Sequence, residues 1–161
     1  MAFDYLGTDL SVAPFLAAHD ASAMDLTTVQ RPIRGRLRDG STVASDFATI
    51  SGRENLAHAL LLRLLTPRGS LADLGHAAYG SRLHELIGRP KTSALRDLCR
   101  AFVLEVVAQE PRVEDKAVAL VFDPAAETLD SFVFTLAVRP VADPHGNNGG
   151  PSLLLDLEVG I

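Results

Sequence analysis

The chain has 161 residues, 47% of them hydrophobic and 6% aromatic with no Trp, so its core must be built from Leu, Val and Ala. That length fits one domain with room for an attached arm. The net charge of −5 opposes general nucleic-acid binding, which needs a basic footprint, and no apolar run reaches the roughly 18 residues of a membrane span.

Cys99 is the single cysteine and excludes an internal disulfide. That fits a reducing compartment, and its place on the apolar side of a predicted helix reads as a small buried hydrophobe. The opening MAFDYLGTDL has two acids and no basic residue before any apolar run, so no secretory signal is expected. Synthesis and assembly in the cytoplasm are the expectation, with release only as part of a larger particle.

Residues 1–30 show no sustained period, and residues 1–45 read as an arm preceding an α+β domain over 46–161. The stretch RPIRGRLRDG alternates Ile33, Gly35 and Leu37 with Arg34, Arg36 and Arg38. This period-two pattern predicts a short exposed strand ending at Asp39-Gly40. Its arginines suit an acidic protein partner or, less well given the overall charge, nucleic acid. Charge on an edge strand also serves simply to discourage wrong pairing.

Ser51-Gly52-Arg53-Glu54 has capping-box spacing, so a helix is predicted from Ser51 to the Thr66-Pro67-Arg68-Gly69 turn. Apolar residues lie on most of its faces, which predicts an enclosed helix. A short second helix is expected over Ser81–Ile87, between Gly80 and Gly88. A third, from about Thr92 to Gln109, carries Leu95, Leu98, Cys99, Phe102, Val103, Val106 and Val107 at helical spacing. Pro111 stops it, since proline disfavours a helical residue before it.

The period then changes to two around Val118–Phe122, Phe132–Arg139 and Leu153–Val159. Three antiparallel strands are expected, the last two joined by the turn-rich ADPHGNNGGPS, where His145 reads as solvated. The expected fold is therefore α+β, about three helices on a small, mainly antiparallel sheet of three to four strands.

Motifs for chemistry are missing. HELIG offers His84 and Glu85, but Gly88 stands where the second metal ligand of HExxH belongs. The other histidines (His19, His58, His76 and His145) are scattered and one cysteine cannot build a zinc site, so no metal or cofactor is expected. Phosphate-binding glycine loops and the GxSxG elbow do not occur. A glycosidase needs only two carboxylates, for which Glu85, Glu105 and Glu110 are conceivable, although carboxylates on helices are far more often solvated or salt-bridged.

Three segments in order, SGRENLAHALLLRLLTPRGSL, HAAYGSRLHELIG and Glu110-Pro111-Arg112, resemble the baseplate-wedge family of contractile injection machines. That family includes the sheath-initiating wedge protein of contractile phage tails and its type VI secretion counterpart, historically labelled lysozyme-like. LLTPRG and YGSRLHELIG look closest to extracellular phage-tail-like particles. The resemblance covers roughly residues 45–160, and the preceding arm matches no motif of the family.

The resemblance implies a non-enzymatic baseplate subunit in six copies per particle. Its partners would be wedge proteins, sheath subunits and the inner tube or hub, with no membrane insertion. It also implies sheath initiation by strand addition and docking on wedge helices through Glu110, Pro111 and Arg112. Arg112 suits such docking because its planar fork can hold a carboxylate in two bonds. Arg68, Gly69, Tyr79 and Gly80 are further interface candidates, although each also reads as an ordinary turn residue, and Arg34 and Arg36 are candidates for an acidic neighbour. The alternative is a muramidase-type cell-wall hydrolase carried in the baseplate.

Overall fold

A computed structural model of the chain describes residues 6–14, 24–26, 28–36, 38, 40–141 and 152–161. By its contacts the chain divides into two units, Met1–Asn55 and Leu56–Ile161.

The described part of the first unit holds β1 (Thr8–Leu10), β2 (Val12–Pro14), β3 (Met24–Leu26), β4 (Thr28–Pro32), β5 (Val43–Phe47) and β6 (Thr49–Ser51). They pair antiparallel as β1-β6, β2-β3 and β4-β5. Over residues 1–30 the sequence pattern suggests an arm or irregular lead-in. These strands are short, and β4 is exposed along its whole length, so no apolar alternation marks them. Where β6 meets the next helix, the Gly52 amide donates to the Gly7 carbonyl at 3.1 Å, and Asn55 Nδ2 donates to the Leu6 carbonyl at 3.1 Å.

Of the arginine-rich stretch only Arg31 and Pro32 lie in a strand, β4, and its other described residues do not. Pairing ends at Pro32 opposite Val43, with one further bond from the Ile33 amide to the Thr42 carbonyl at 2.9 Å. Beyond it Gly35 has φ 115° and Gly40 φ 83°. These left-handed values suit glycine and bend the chain out of extension. Arg34, Arg36 and Arg38 are therefore exposed in the connection from β4 to β5, and Leu37 and Asp39 lie outside the described residues.

α1 spans Gly52–Leu65, starting where the Ser51 signal puts it. Among the described hydrogen bonds none joins Ser51 to Glu54, and Gly52 makes the strand-to-helix turn at φ 64°. Leu56, Leu60 and Leu64 repeat every four residues and are almost fully buried. Each contributes roughly 2 kcal/mol by leaving water. Only Glu54 and Leu65 of this helix are exposed, as its all-round apolar pattern predicts.

The second helix expected over Ser81–Ile87 is a 3-10 turn over Leu83–Leu86, and another such turn covers Ala72–Leu74. Gly80 and Gly88, at φ 104° and 78°, leave too short a segment between them to offset α-helix nucleation. The described chain thus has two α-helices rather than about three.

α2 spans Ser93–Ala108, and the Thr92 hydroxyl caps it by accepting from the Leu95 amide at 3.1 Å. Leu95, Cys99, Phe102, Val103, Val106 and Val107 form its buried stripe. Burial, with the nearby Glu127 charge adding to it, pushes the Cys99 thiol up to about 12.

β7 (Val113–Phe122), β8 (Ser131–Pro140) and β9 (Leu153–Gly160) form an antiparallel sheet in the order β7-β8-β9. Its register pairs Leu120 with Leu136 and Phe134 with Leu157. On β8, Phe132, Phe134, Leu136 and Val138 are buried, as the alternation predicts. α2 lies against β7, where Arg100 Nη1 donates to the Leu120 carbonyl at 2.9 Å. Arg96 sits over the rings of Phe122 and Phe132 at 5.5 and 5.2 Å. The α+β class stands. The connection carrying His145 lies outside the described residues.

Candidate functional site

The turn after α1 and the Tyr79-Gly80-Ser81 segment are one piece of structure. The Arg68 amide donates to the Ser81 carbonyl and the Ser81 amide to the Thr66 carbonyl, both at 2.8 Å. The Ser81 hydroxyl donates to the Leu64 carbonyl at 2.6 Å, where the ending helix leaves a carbonyl without a helical partner. Gly80 is required at this crossing. A Cβ there would stand 2.5 Å from the Thr66 carbonyl oxygen and 3.0 Å from the Arg68 nitrogen. Gly69, by contrast, has open space around it and serves its left-handed turn.

The third segment meets the first two through Arg63. Its guanidinium lies 4.8 Å from the centre of the Tyr79 ring. Nη1 bonds Gln109 Oε1 at 3.5 Å, and Nη2 stands 3.9 Å from Glu110 Oε2. Glu110 is buried, and Arg112 holds it through Nε at 2.6 Å and Nη2 at 3.1 Å. Burial pushes the Glu110 carboxyl up, but the bonds to Arg112 and the Arg112 and Arg63 charges outweigh it and hold the carboxyl below its ordinary value. One helical turn earlier on α2, Glu105 pairs with Arg68. The candidates Arg68, Tyr79, Glu110 and Arg112 therefore share one corner at the C-terminal ends of both helices.

One part of this arrangement was not anticipated, and another follows the plainer of two readings, a charge pair at the helix end. Arg63 links the segments, and its signal was available as the lone cation within LLLRLL. The Arg112 fork, expected to seize a partner's carboxylate, is filled by Glu110 from the same chain, while Pro111 between them is exposed. Arg34 and Arg36 belong to the first unit.

Beside the corner lies an apolar groove of about 240 Å³. Leu64, Leu65, Pro67, Ser81, Leu83, His84 and Ile87 line it together with Glu158, Val159 and Gly160 of β9. Ile87 is 68% exposed on its rim. This volume suits one or two side chains of a protein partner, since cavities for drug-sized ligands start at about 300 Å³. Among the described residues β9 bonds only to β8 and β7 only to β8, so each presents an open edge there.

The three conceivable acids are each paired with an arginine. Glu85 accepts from Arg82 at 2.7 and 2.9 Å, Glu105 pairs with Arg68, and Glu110 is held by Arg112. The bond from Arg82 holds Glu85 below the usual carboxylate range. Among the described residues no cluster of histidine, cysteine and carboxylate has the makings of a metal site, and no helix is long and apolar enough to cross a membrane. Comparison of the chain with protein-family models, curated proteins and solved structures finds no match.

Proposed function

We propose that the chain is a structural baseplate subunit of a contractile injection system, docking on wedge proteins and nucleating the sheath by strand addition. The observation that carries this reading is the meeting of the three family-like segments in one corner, beside a sheet with open edges. A mutually braced corner suits rigid docking, because ordering costs met in the free protein are not met again on binding. An open sheet edge offers main-chain donors and acceptors to an added strand.

With the Arg112 fork filled, docking would use the exposed Pro111 turn and the rims of the Arg63 and Arg68 pairs. The muramidase alternative draws no support from the carboxylates. A general acid needs a raised pKa, whereas Glu85 and Glu110 are held low.

The test is deletion of the gene in the producing strain, followed by electron microscopy of the particles. Loss of sheathed particles, or sheaths detached from baseplates, is the expected result. Intact contractile particles that merely fail to breach target cells would overturn the reading.

A further inference from the structure

β9 presents its outer edge without the lysine or proline that commonly blunts such edges. Asp156 and Glu158 lie on the same face of β9, both exposed. Asp156 accepts from the Thr135 hydroxyl at 2.6 Å. Neither carboxylate has an ion pair among the described residues. Two β9 strands laid antiparallel would set these carboxylates against each other, and like charges on facing strands are unfavourable. The edge therefore selects against itself and for a strand with basic residues at every second position.

The chain itself carries such a segment. Arg34, Arg36 and Arg38 alternate with Ile33, Gly35 and Leu37. All three arginines are exposed, and none is ion-paired among the described residues. No described backbone hydrogen bond engages Arg34, Gly35 or Arg36. Gly35, now at φ 115°, passes to an extended conformation without the steric penalty another residue meets.

We propose that segment 33–36 of one copy adds antiparallel to the β9 edge of a second copy, with Arg34 facing Glu158 and Arg36 facing Asp156. In that register Ile33 falls opposite Val159, which lines the apolar groove with Leu64, Leu83 and Ile87. The groove of about 240 Å³ takes the Ile33 side chain and so fixes the register. Charge complementarity and the pocket select the same alignment, and a slip of one residue loses both. Donor and acceptor are different surfaces, so the contact is head-to-tail and builds rings or open chains. It stands apart from the baseplate reading and leaves the β7 edge for a sheath strand.

The experiment is sedimentation velocity of the full chain over a range of micromolar concentrations, at low and high salt. The expected result is concentration-dependent association that weakens as salt screens the pairs. R34E/R36E and D156K/E158K should each weaken association about tenfold or more, because two favourable facing pairs become repulsive. An equimolar mixture of the two variants should associate again, since the reversed arm of one meets the reversed edge of the other. Circular dichroism checks that each variant folds, and the neutral R34Q/R36Q and D156N/E158N replace any that does not, with a smaller loss expected. A monomer at every concentration, association indifferent to both variants, or a mixture that stays apart would each overturn the pairing.

Discussion

Arg112 reaches back two residues and holds the buried Glu110 carboxylate with both Nε, at 2.6 Å, and Nη2, at 3.1 Å. The backbone around them is tied as well. The Val113 amide donates to the Glu110 carbonyl at 3.1 Å, and the Val141 amide to the Arg112 carbonyl at 2.9 Å. The pair thus secures the point where α2 hands over to β7 and where β8 ends.

Replacing Arg112 by Ala leaves Glu110 buried with Arg63 at 3.9 Å as its remaining described ion-pair partner. The second unit should still fold, at a cost of about 1–3 kcal/mol, the usual penalty for stranding a buried charge that keeps partial compensation. The urea midpoint measures it. A midpoint equal to wild type would mean the clasp adds nothing to stability.

Acid should unfold the protein through Glu110 and Glu127. Burial pushes both carboxyls up, but their cations win: Arg112 and Arg63 for Glu110, Lys91 and Arg96 for Glu127. Both therefore titrate below their unfolded values, and as pH falls the unfolded chain binds more protons than the folded one. The stabilisation is complete above an unfolded value of about 4.3 and is lost as pH drops below it through the folded values. Urea midpoints should be level down to about pH 5 and fall steeply beneath it. Glu110→Gln and Glu127→Gln should each flatten that fall, and an acid limb unchanged in both variants would remove these carboxylates from the account.

Gly80→Ala and Gly69→Ala form a matched pair. Both glycines have positive φ, 104° and 88°, yet only a Cβ at Gly80 meets backbone, at 2.5 Å from the Thr66 oxygen. The Gly80 variant should lose roughly 2–4 kcal/mol from strain plus displacement of the crossing, and the Gly69 variant about 1 kcal/mol from strain alone. Equal losses in thermal melts would show that crowding at the crossing does not matter.

What could be read in the sequence follows from how regular each element is. α2 and β8 were legible because their apolar residues keep one period for several turns or pairs, and Thr92 and Pro111 mark the helix ends. The 3-10 turn over Leu83–Leu86 was misread as a helix because flanking glycines show that a segment stops, but not how tightly it winds. The arginine stretch had strand alternation, and what cancelled it was backbone: Gly35 and Gly40 in left-handed conformations. The described side chains of β1, β4, β5 and β6 are mostly exposed, so these strands left no hydrophobic signature. At the candidate site Glu110 and Arg112 were named, but their mutual bond depends on the turn at Pro111. Arg63 joins residues far apart in the chain, a relationship that no local pattern records.

β7, β8 and β9 lie in the sheet in the same order as along the chain. Each strand therefore closes on its sequence neighbour, a topology of low contact order that zips by successive hairpins without a long-range search. On a ribosome, a chain extended through Pro140 already contains both strands of the first hairpin. Until β9 emerges, the outer edge of β8 is exposed, and its alternating Phe132, Phe134, Leu136 and Val138 make it prone to cross-strand aggregation. β9, made after β8, thus covers the β8 edge, and a chain that stops before Leu153 would leave that edge open.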